Sequence, residues 1–301
     1  MGERLRHPRI PDRHVARDIT YASSAATRSG RAMIRVMENA TGRLRLIRRA
    51  KGYEREVERG RDFWEVMAER YGLTLKVTGG SLDNIPPKGP LVLIANHPYG
   101  ILDGLMMGLI LSRLRGDFRI LANQVFRKAE DLNRIILPVS FDETKEAMRL
   151  NLQTRKKALG YLEQGGAIGV FPGGTVSTSA TPFFSQPMDP GWRSFTAKMV
   201  ARSDATVVPM FFVGHNSRLF QLASHLHSTL RMGLLIKEFK KRVNKPVEVV
   251  IGTPIPQAAL EPLRTDPRAM MDFLRTETYN LSPVPVKSLG YGFEFEEKHR
   301  H

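Results

Sequence analysis

Residues 91–104 read Leu91-Val92-Leu93-Ile94-Ala95-Asn96-His97-Pro98-Tyr99-Gly100-Ile101-Leu102-Asp103-Gly104. The apolar run reads as a strand that Pro98 and Gly100 bring to an end, with a helix beginning near Gly104. His97 thus stands at the carboxyl end of a strand and Asp103 at the head of a helix. A carboxylate so placed holds an imidazole in one tautomer, leaving the other ring nitrogen to take a proton from a hydroxyl. The same residues allow a plainer reading, in which Asp103 only caps the helix and His97 is a loop residue.

Outward from this stretch the chain alternates short β runs with helical stretches. Strands are expected at 73–77, 91–95, 118–122, 135–140, 167–171, 206–213 and 246–252. Helices are expected at 61–71, 104–114, 143–164, 192–202, 218–222, 230–243 and 267–281. Such alternation predicts an α/β domain with a central, mostly parallel sheet flanked by helices. Ligands of such sheets gather outside the carboxyl ends of the strands, where His97 falls. Before this domain, apolar positions Met33, Ile34, Val36, Met37, Leu44, Leu46 and Ile47 recur at helical spacing among arginines, and Gly42 weakens or divides the run. The chain divides into a basic arm with amphipathic helices (1–72), the α/β domain (73–285) and a polar tail (286–301). The N-terminal helix can lie in a lipid headgroup layer or pack as a surface helix on its own domain.

The absence of cysteine excludes disulfides, thiolate zinc sites and a cysteine nucleophile, so any nucleophile is oxygen or nitrogen. The net charge of +16 draws in nucleic acid, anionic lipid headgroups or an acidic carrier protein, and charge alone does not choose among them. No apolar run is long enough to span a bilayer. The longest candidate, 91–111, is interrupted by His97, Pro98 and Asp103. The start of the chain, with Arg4, Arg6, His7 and Arg9, lacks the apolar block of a signal peptide. A cytoplasmic protein, peripheral on the inner face of the membrane, is expected.

Three further strand ends carry polar residues. Phe171-Pro172-Gly173-Gly174-Thr175-Val176-Ser177 is a tight turn whose amides can approach an anion or polarised oxygen. Residues 207–212 form an apolar strand with an internal Pro209, ending in His215, Asn216 and Ser217, and residues 118–123 lead to Arg127. Together and in this order the blocks resemble the glycerolipid acyltransferase superfamily, over about residues 75–255. Asn96, His97 and Asp103 match its first motif. Phe171, Pro172, Gly174, Thr175 and Ser177 match the outline of its Phe-Pro-Glu-Gly-Thr-Arg-Ser motif, and 207–212 its apolar strand. The Asn-His-Pro-x-Gly-x-x-Asp-Gly form, with Asn216-Ser217-Arg218-Leu219-Phe220, is similar to a bacterial branch termed hemolysin-like acyltransferases.

The resemblance implies transfer of a fatty acyl chain from a thioester to a lysolipid hydroxyl by direct attack. His97 is then the general base, Asp103 its support, and turn amides near Gly173 and Gly174 the oxyanion donors. Asn96, Arg127, Phe171, Pro172, Gly173, Gly174 and Thr175 are the implied substrate contacts. No metal or cofactor is implied beyond an acyl carrier protein or coenzyme A thioester as co-substrate. The expected partners are that donor, a lysolipid acceptor and an anionic membrane, with no nucleic acid. This chain departs from the pattern at three places. Five residues separate His97 from Asp103 where the family has four, Gly173 replaces a glutamate, and Val176 replaces the arginine associated with the acceptor's phosphate. Arg127, Arg149 and Arg193 are the candidate replacement cations. The acceptor is therefore a lysophospholipid, 1-acylglycerol-3-phosphate included, or a lyso-aminolipid such as lyso-ornithine lipid. The basic segment 231–245, with Leu234, Leu235, Ile236 and Phe239 among its lysines, is a second candidate docking surface. The rival readings are a catalytically silent membrane-binding relative and a basic nucleic-acid-binding protein.

Overall fold

The computed structural model describes residues 20–22, 25, 27–123, 130–140, 144–183, 185–286 and 289–295. Four helices, α1 (Arg28–Thr41), α2 (Arg43–Ala50), α3 (Tyr53–Glu58) and α4 (Phe63–Tyr71), precede β1 (Thr74–Gly80). Then follow β2 (Leu91–Ala95), α5 (Ile101–Arg115), β3 (Arg119–Asn123), α6 (Glu130–Asn133), β4 (Ile136–Val139), α7 (Lys145–Glu163) and β5 (Ala167–Val170). A short antiparallel hairpin, β6 (Thr178–Ser179) with β7 (Pro187–Met188), leads to α8 (Ser194–Val200) and β8 (Thr206–Phe212). The chain continues through α9 (Arg218–Leu226), α10 (Ser228–Arg242), β9 (Pro246–Ile251), α11 (Gln257–Leu260) and α12 (Pro267–Tyr279).

The sheet has the order β1-β9-β8-β2-β5-β3-β4. Every pairing is parallel except β8 with β9, so β1 and β9 run against the other five strands. This is the mostly parallel, helix-flanked sheet expected from the alternation of elements. All five residues of β2 are buried, as a strand covered on both faces requires. Its side chains alternate between two cores. Leu91, Leu93 and Ala95 meet Trp64, Met67, Met106 and Ile110 on one face, while Val92 and Ile94 meet Leu162, Met199, Met271 and Leu274 on the other. Register does the rest. Ile94 lies beside Val170 and Ala95 beside Met210, so β2, β5 and β8 end at one level and their next residues converge.

Local boundaries differ from expectation for identifiable reasons. The helix after β2 begins at Ile101 rather than Gly104, because the Asp103 carboxylate reaches back to the Gly100 amide and extends the first turn. The N-terminal amphipathic run is divided at Gly42, whose φ of 134° breaks the helix where Lys240 packs against it. Helix α1 packs through Ile34 and Glu38 and leaves Met33 and Val36 exposed; Leu44 of α2 is exposed as well. Leu46, Ala50 and Tyr53 share the core of the sheet. In α10, Leu234, Leu235, Ile236 and Phe239 are buried, which removes the apolar half of the docking surface expected at 231–245. Residues 289–295, expected as tail, thread over the β6–β7 hairpin: the Gly292 amide donates to Asp189 O and that of Phe293 to Thr178 O.

Candidate active site

His97 Nδ1 lies 3.0 Å from Asp103 Oδ2, and Asp103 is wholly buried. The pair falls short of hydrogen-bond geometry, a shortfall that binding of substrate commonly removes. The same Oδ2 accepts from the amides of Tyr99 at 2.8 Å and Gly100 at 3.0 Å. Capping the helix and facing the imidazole are thus not alternatives here, because one oxygen does both. Burial raises the Asp103 pKa, and the neighbouring imidazole and the two amides act against that rise. Its other oxygen, Oδ1, is buried without a hydrogen-bond partner.

The His97 ring stacks on Phe171, the first residue after β5, with centroids 4.3 Å apart and planes 28° apart. Its backbone is fixed on both sides: the amide donates to Asp189 Oδ1 at 3.2 Å and the carbonyl accepts from the Ser177 amide at 2.8 Å. Asn96 is placed differently from the expectation that it contacts substrate. Its side chain is buried and mimics a strand neighbour, donating to Phe212 O at 3.0 Å and accepting from the Phe212 amide at 2.7 Å. Two such bonds, each worth about 1 kcal/mol, tie the end of β2 to β8. Asn96 positions His97 and does not line the cavity beside it.

That cavity, of about 330 Å³, runs from His97 into the molecule. Its wall is mostly apolar, with Trp64 and Met67 of α4, Leu105 of α5, Leu121 of β3 and Ile136 of β4 among the lining residues. Its polar lining includes Thr175, Arg193 and Arg231. Phe171, Pro172, Gly174 and Thr175 line it as well, whereas Gly173 does not. The Gly174 amide is committed to Phe171 O at 3.0 Å, which removes it from the expected oxyanion donors. The amides of Gly173 and Thr175 donate to no acceptor among the described residues.

Two residues missed in the sequence complete the site. Asp189, fully buried before α8, accepts from Ser177 Oγ at 2.5 Å, Trp192 Nε1 at 2.9 Å and the His97 amide. A Cβ added at Gly173 would stand 3.2 Å from Asp189 Cβ, so the residue replacing the motif glutamate is glycine where another carboxylate already fills the space. Its sequence context, Asp-Pro-Gly-Trp, signals only a turn. Arg231 of α10 is buried and lines the cavity beside Val176, where the resembled motif has arginine. A signal for it existed: Arg231 shares the i, i+3, i+4 and i+7 stripe with the buried Leu234, Leu235 and Glu238. Of the cations proposed from sequence, Arg193 lines the cavity but pairs with Glu294 at 3.0 Å, Arg149 is exposed on α7, and Arg127 lies outside the described residues.

The chain is similar to several known proteins. A solved structure of the 1-acyl-sn-glycerophosphate (LPA) acyltransferase PlsC from Thermotoga maritima aligns with 74% of this chain and 78% of its own, at a TM-score of 0.45 and 16% identity. The lyso-glycine lipid O-acyltransferase of Phocaeicola vulgatus is 25% identical over 229 residues, covering 74% of this chain and 78% of that protein. The lyso-glycine lipid O-acyltransferase of Bacteroides thetaiotaomicron is 25% identical over 230 residues, covering 74% and 80%. The model of a family described as acyltransferase matches residues 40–284, which include the whole sheet and all the strand ends that form the site. By that match the chain belongs to the acyltransferase family, and it is an acyltransferase.

Proposed function

We propose that this acyltransferase moves a fatty acyl chain from a thioester to the hydroxyl of a lysolipid, with a lyso-aminolipid of the glycine-lipid kind as acceptor. The observation that carries the reading is a His–Asp pair at one end of a deep, mostly apolar cavity. An acyl chain matches such a wall, gaining about 0.8 kcal/mol per buried methylene. His97 Nε2 takes the proton of the acceptor hydroxyl as its oxygen attacks the thioester carbonyl, and Asp103 holds Nδ1–H and stabilises the imidazolium. The Thr175 amide, uncommitted and on the cavity wall, is the donor available to the oxyanion. On collapse the carbon–sulfur bond breaks and the proton passes from His97 to the departing thiolate. Acyl carrier protein and coenzyme A both supply such a thioester. The glycine-lipid assignment of the acceptor draws on the two relatives' substrates and on Val176, which takes the place of the motif's phosphate-associated arginine.

The exposed Met33, Val36 and Leu44, set among the arginines of α1 and α2, are the surface proposed to rest on an anionic membrane. Among the described residues no helix is long and apolar enough to cross a membrane. The test is acyl transfer to a panel of lyso-aminolipids and lysophospholipids, from both thioester donors, with His97→Ala alongside. Loss of the general base is expected to lower turnover about 10²–10⁴-fold with the fold unchanged. Undiminished transfer by His97→Ala would overturn the assignment.

A further inference from the structure

Arg231 is 1% exposed, yet no carboxylate pairs with it among the described residues. Its Nη1 donates to Thr178 Oγ1 at 2.5 Å and Ser224 Oγ at 3.0 Å, and its Nη2 to Thr175 Oγ1 at 3.1 Å and Val176 O at 2.6 Å. Every one of these acceptors is uncharged, and Nε–H has no partner. The guanidinium carbon lies 5.0 Å from the centre of the Phe220 ring and 4.2 Å from that of Phe295. The other arginines that are buried or line the cavity are accounted for. Arg43 lies 3.9 Å from Glu38, Arg193 pairs with Glu294, and Arg275 clamps the carbonyls of Leu289 and Gly290 away from the cavity. Arg231 alone among these four is a cation without a carboxylate that also lines the cavity holding His97. Burial lowers its pKa to about 9, the direction expected where no anion compensates the charge.

We propose that Arg231 and Thr175 form an anion subsite for the acidic head of the acceptor lipid. The inference rests on the lysolipid reading above and deepens it. Thr175 Oγ1 accepts from Arg231, which leaves the hydroxyl's own proton to be donated into the cavity, toward an anionic oxygen. The guanidinium behind it supplies the charge, delivered from α10 to the position that a motif arginine would reach from residue 176. An acceptor held by its head at Thr175 stands at the polar end of the cavity with His97, so head recognition selects which hydroxyl meets the base. Arg231 is on this account a specificity-determining residue that acts through Thr175 and through its field. Carboxylate and phosphate heads share the required chemistry, and the assay separates them.

The probes are an N-(3-hydroxyacyl)glycine, its methyl ester and 1-acylglycerol-3-phosphate, compared as kcat/KM. The wild-type protein is expected to prefer the acid over the ester by about tenfold or more, the usual scale of a charge-assisted hydrogen bond. Arg231→Gln and Thr175→Val should each bring that ratio toward one, and Arg231→Lys should restore part of it. A purely structural role would lower both rates and leave the ratio alone. A wild-type ratio of one, or a full ratio in Arg231→Gln, overturns the subsite. Should Arg231→Gln fail to fold, the wild-type ratio and Thr175→Val decide the matter. Preferred turnover of the lysophosphatidate over the glycine lipid identifies a phosphate head and still supports an anion subsite. If the wild type acylates no lysolipid at all, the underlying reading fails and the subsite falls with it.

Discussion

Replacing Asp103 by asparagine separates the two tasks that its Oδ2 performs. An amide oxygen in that place still accepts from Tyr99 N and Gly100 N, so the first turn of α5 keeps its cap. What disappears is the negative charge beside the imidazolium, 3.0 Å from Nδ1 in the parent. With charge centres about 4 Å apart and an effective dielectric constant of about 20, that charge is worth about 4 kcal/mol, or about 10³-fold in kcat. Stability should move the other way. Burial raises the Asp103 pKa above its unfolded value, so the native state binds more protons than the unfolded chain between the two values. The stability contributed by the carboxyl is then full below its unfolded pKa of about 3.9 and is lost as pH rises through the folded one. Asparagine carries no such titration. Thermal melts of parent and variant from pH 4 to pH 8 should therefore show Tm shifting in favour of Asp103→Asn as pH rises. Acyl transfer from a thioester to a lysolipid, followed in the same samples, should show the loss in kcat. A variant that keeps kcat within about fivefold would show that Asp103 is only a cap, and would refute the reasoning.

Three further outcomes are expected. Gly104 lines the cavity and a Cβ there meets nothing within 4 Å, so Gly104→Phe should fold and shorten the chamber by about four methylenes. At about 0.8 kcal/mol each, that lowers kcat/KM for long-chain relative to short-chain donors about 200-fold, and an unchanged chain-length profile would remove the acyl chain from this cavity. Gly100 has φ of 90°, and its Cβ would stand 2.9 Å from Tyr21 Oη; Gly100→Ala should cost about 1–3 kcal/mol, read as a lowered Tm, with kcat reduced as the Asp103 cap shifts. Met33 and Val36 are 53% and 68% exposed, and their joint replacement by aspartate should reduce sedimentation with phosphatidylglycerol vesicles at least about tenfold, which unaltered binding would contradict.

The sheet was legible because its signals are local. The unbroken run 91–94, the glycine turn at 173–174 and the apolar stretch 207–212 each announce a strand and its end without reference to the rest of the chain. The His97–Asp103 contact was legible for the same reason, since five residues and one turn join them. The direction of β1 and β9 was not. Antiparallel pairing of β8 with β9 depends on how α9 and α10 return the chain, and nothing in the residues of either strand records it. The role of Asn96 was hidden likewise, because its amide answers the backbone of Phe212, 116 residues away.

The departures from the resembled motif were legible as losses, and the structure shows them as exchanges. Gly173 lacks a carboxylate, but Asp189 occupies the space a side chain there would need and binds the turn through Ser177 and the amide of His97. Val176 lacks a guanidinium, but Arg231 donates to the Val176 carbonyl and to Thr175 from α10. Each exchange moves a charge off the turn onto an element anchored elsewhere. Asp189 is braced by Trp192 and by the Gly292 amide, and Arg231 is flanked by Phe220 and Phe295. The consequence is mechanical. In a self-contained motif the charges sit on the turn itself, whereas here the electrostatics of the His97 cavity depend on residues 289–295 lying in place, because Gly292 touches Asp189 and Phe295 touches Arg231. Gly292 has no room for a side chain, its Cβ falling 1.8 Å from Met188 O. A substitution there, far in sequence from every motif, therefore disturbs the site through Asp189 and Arg231 together.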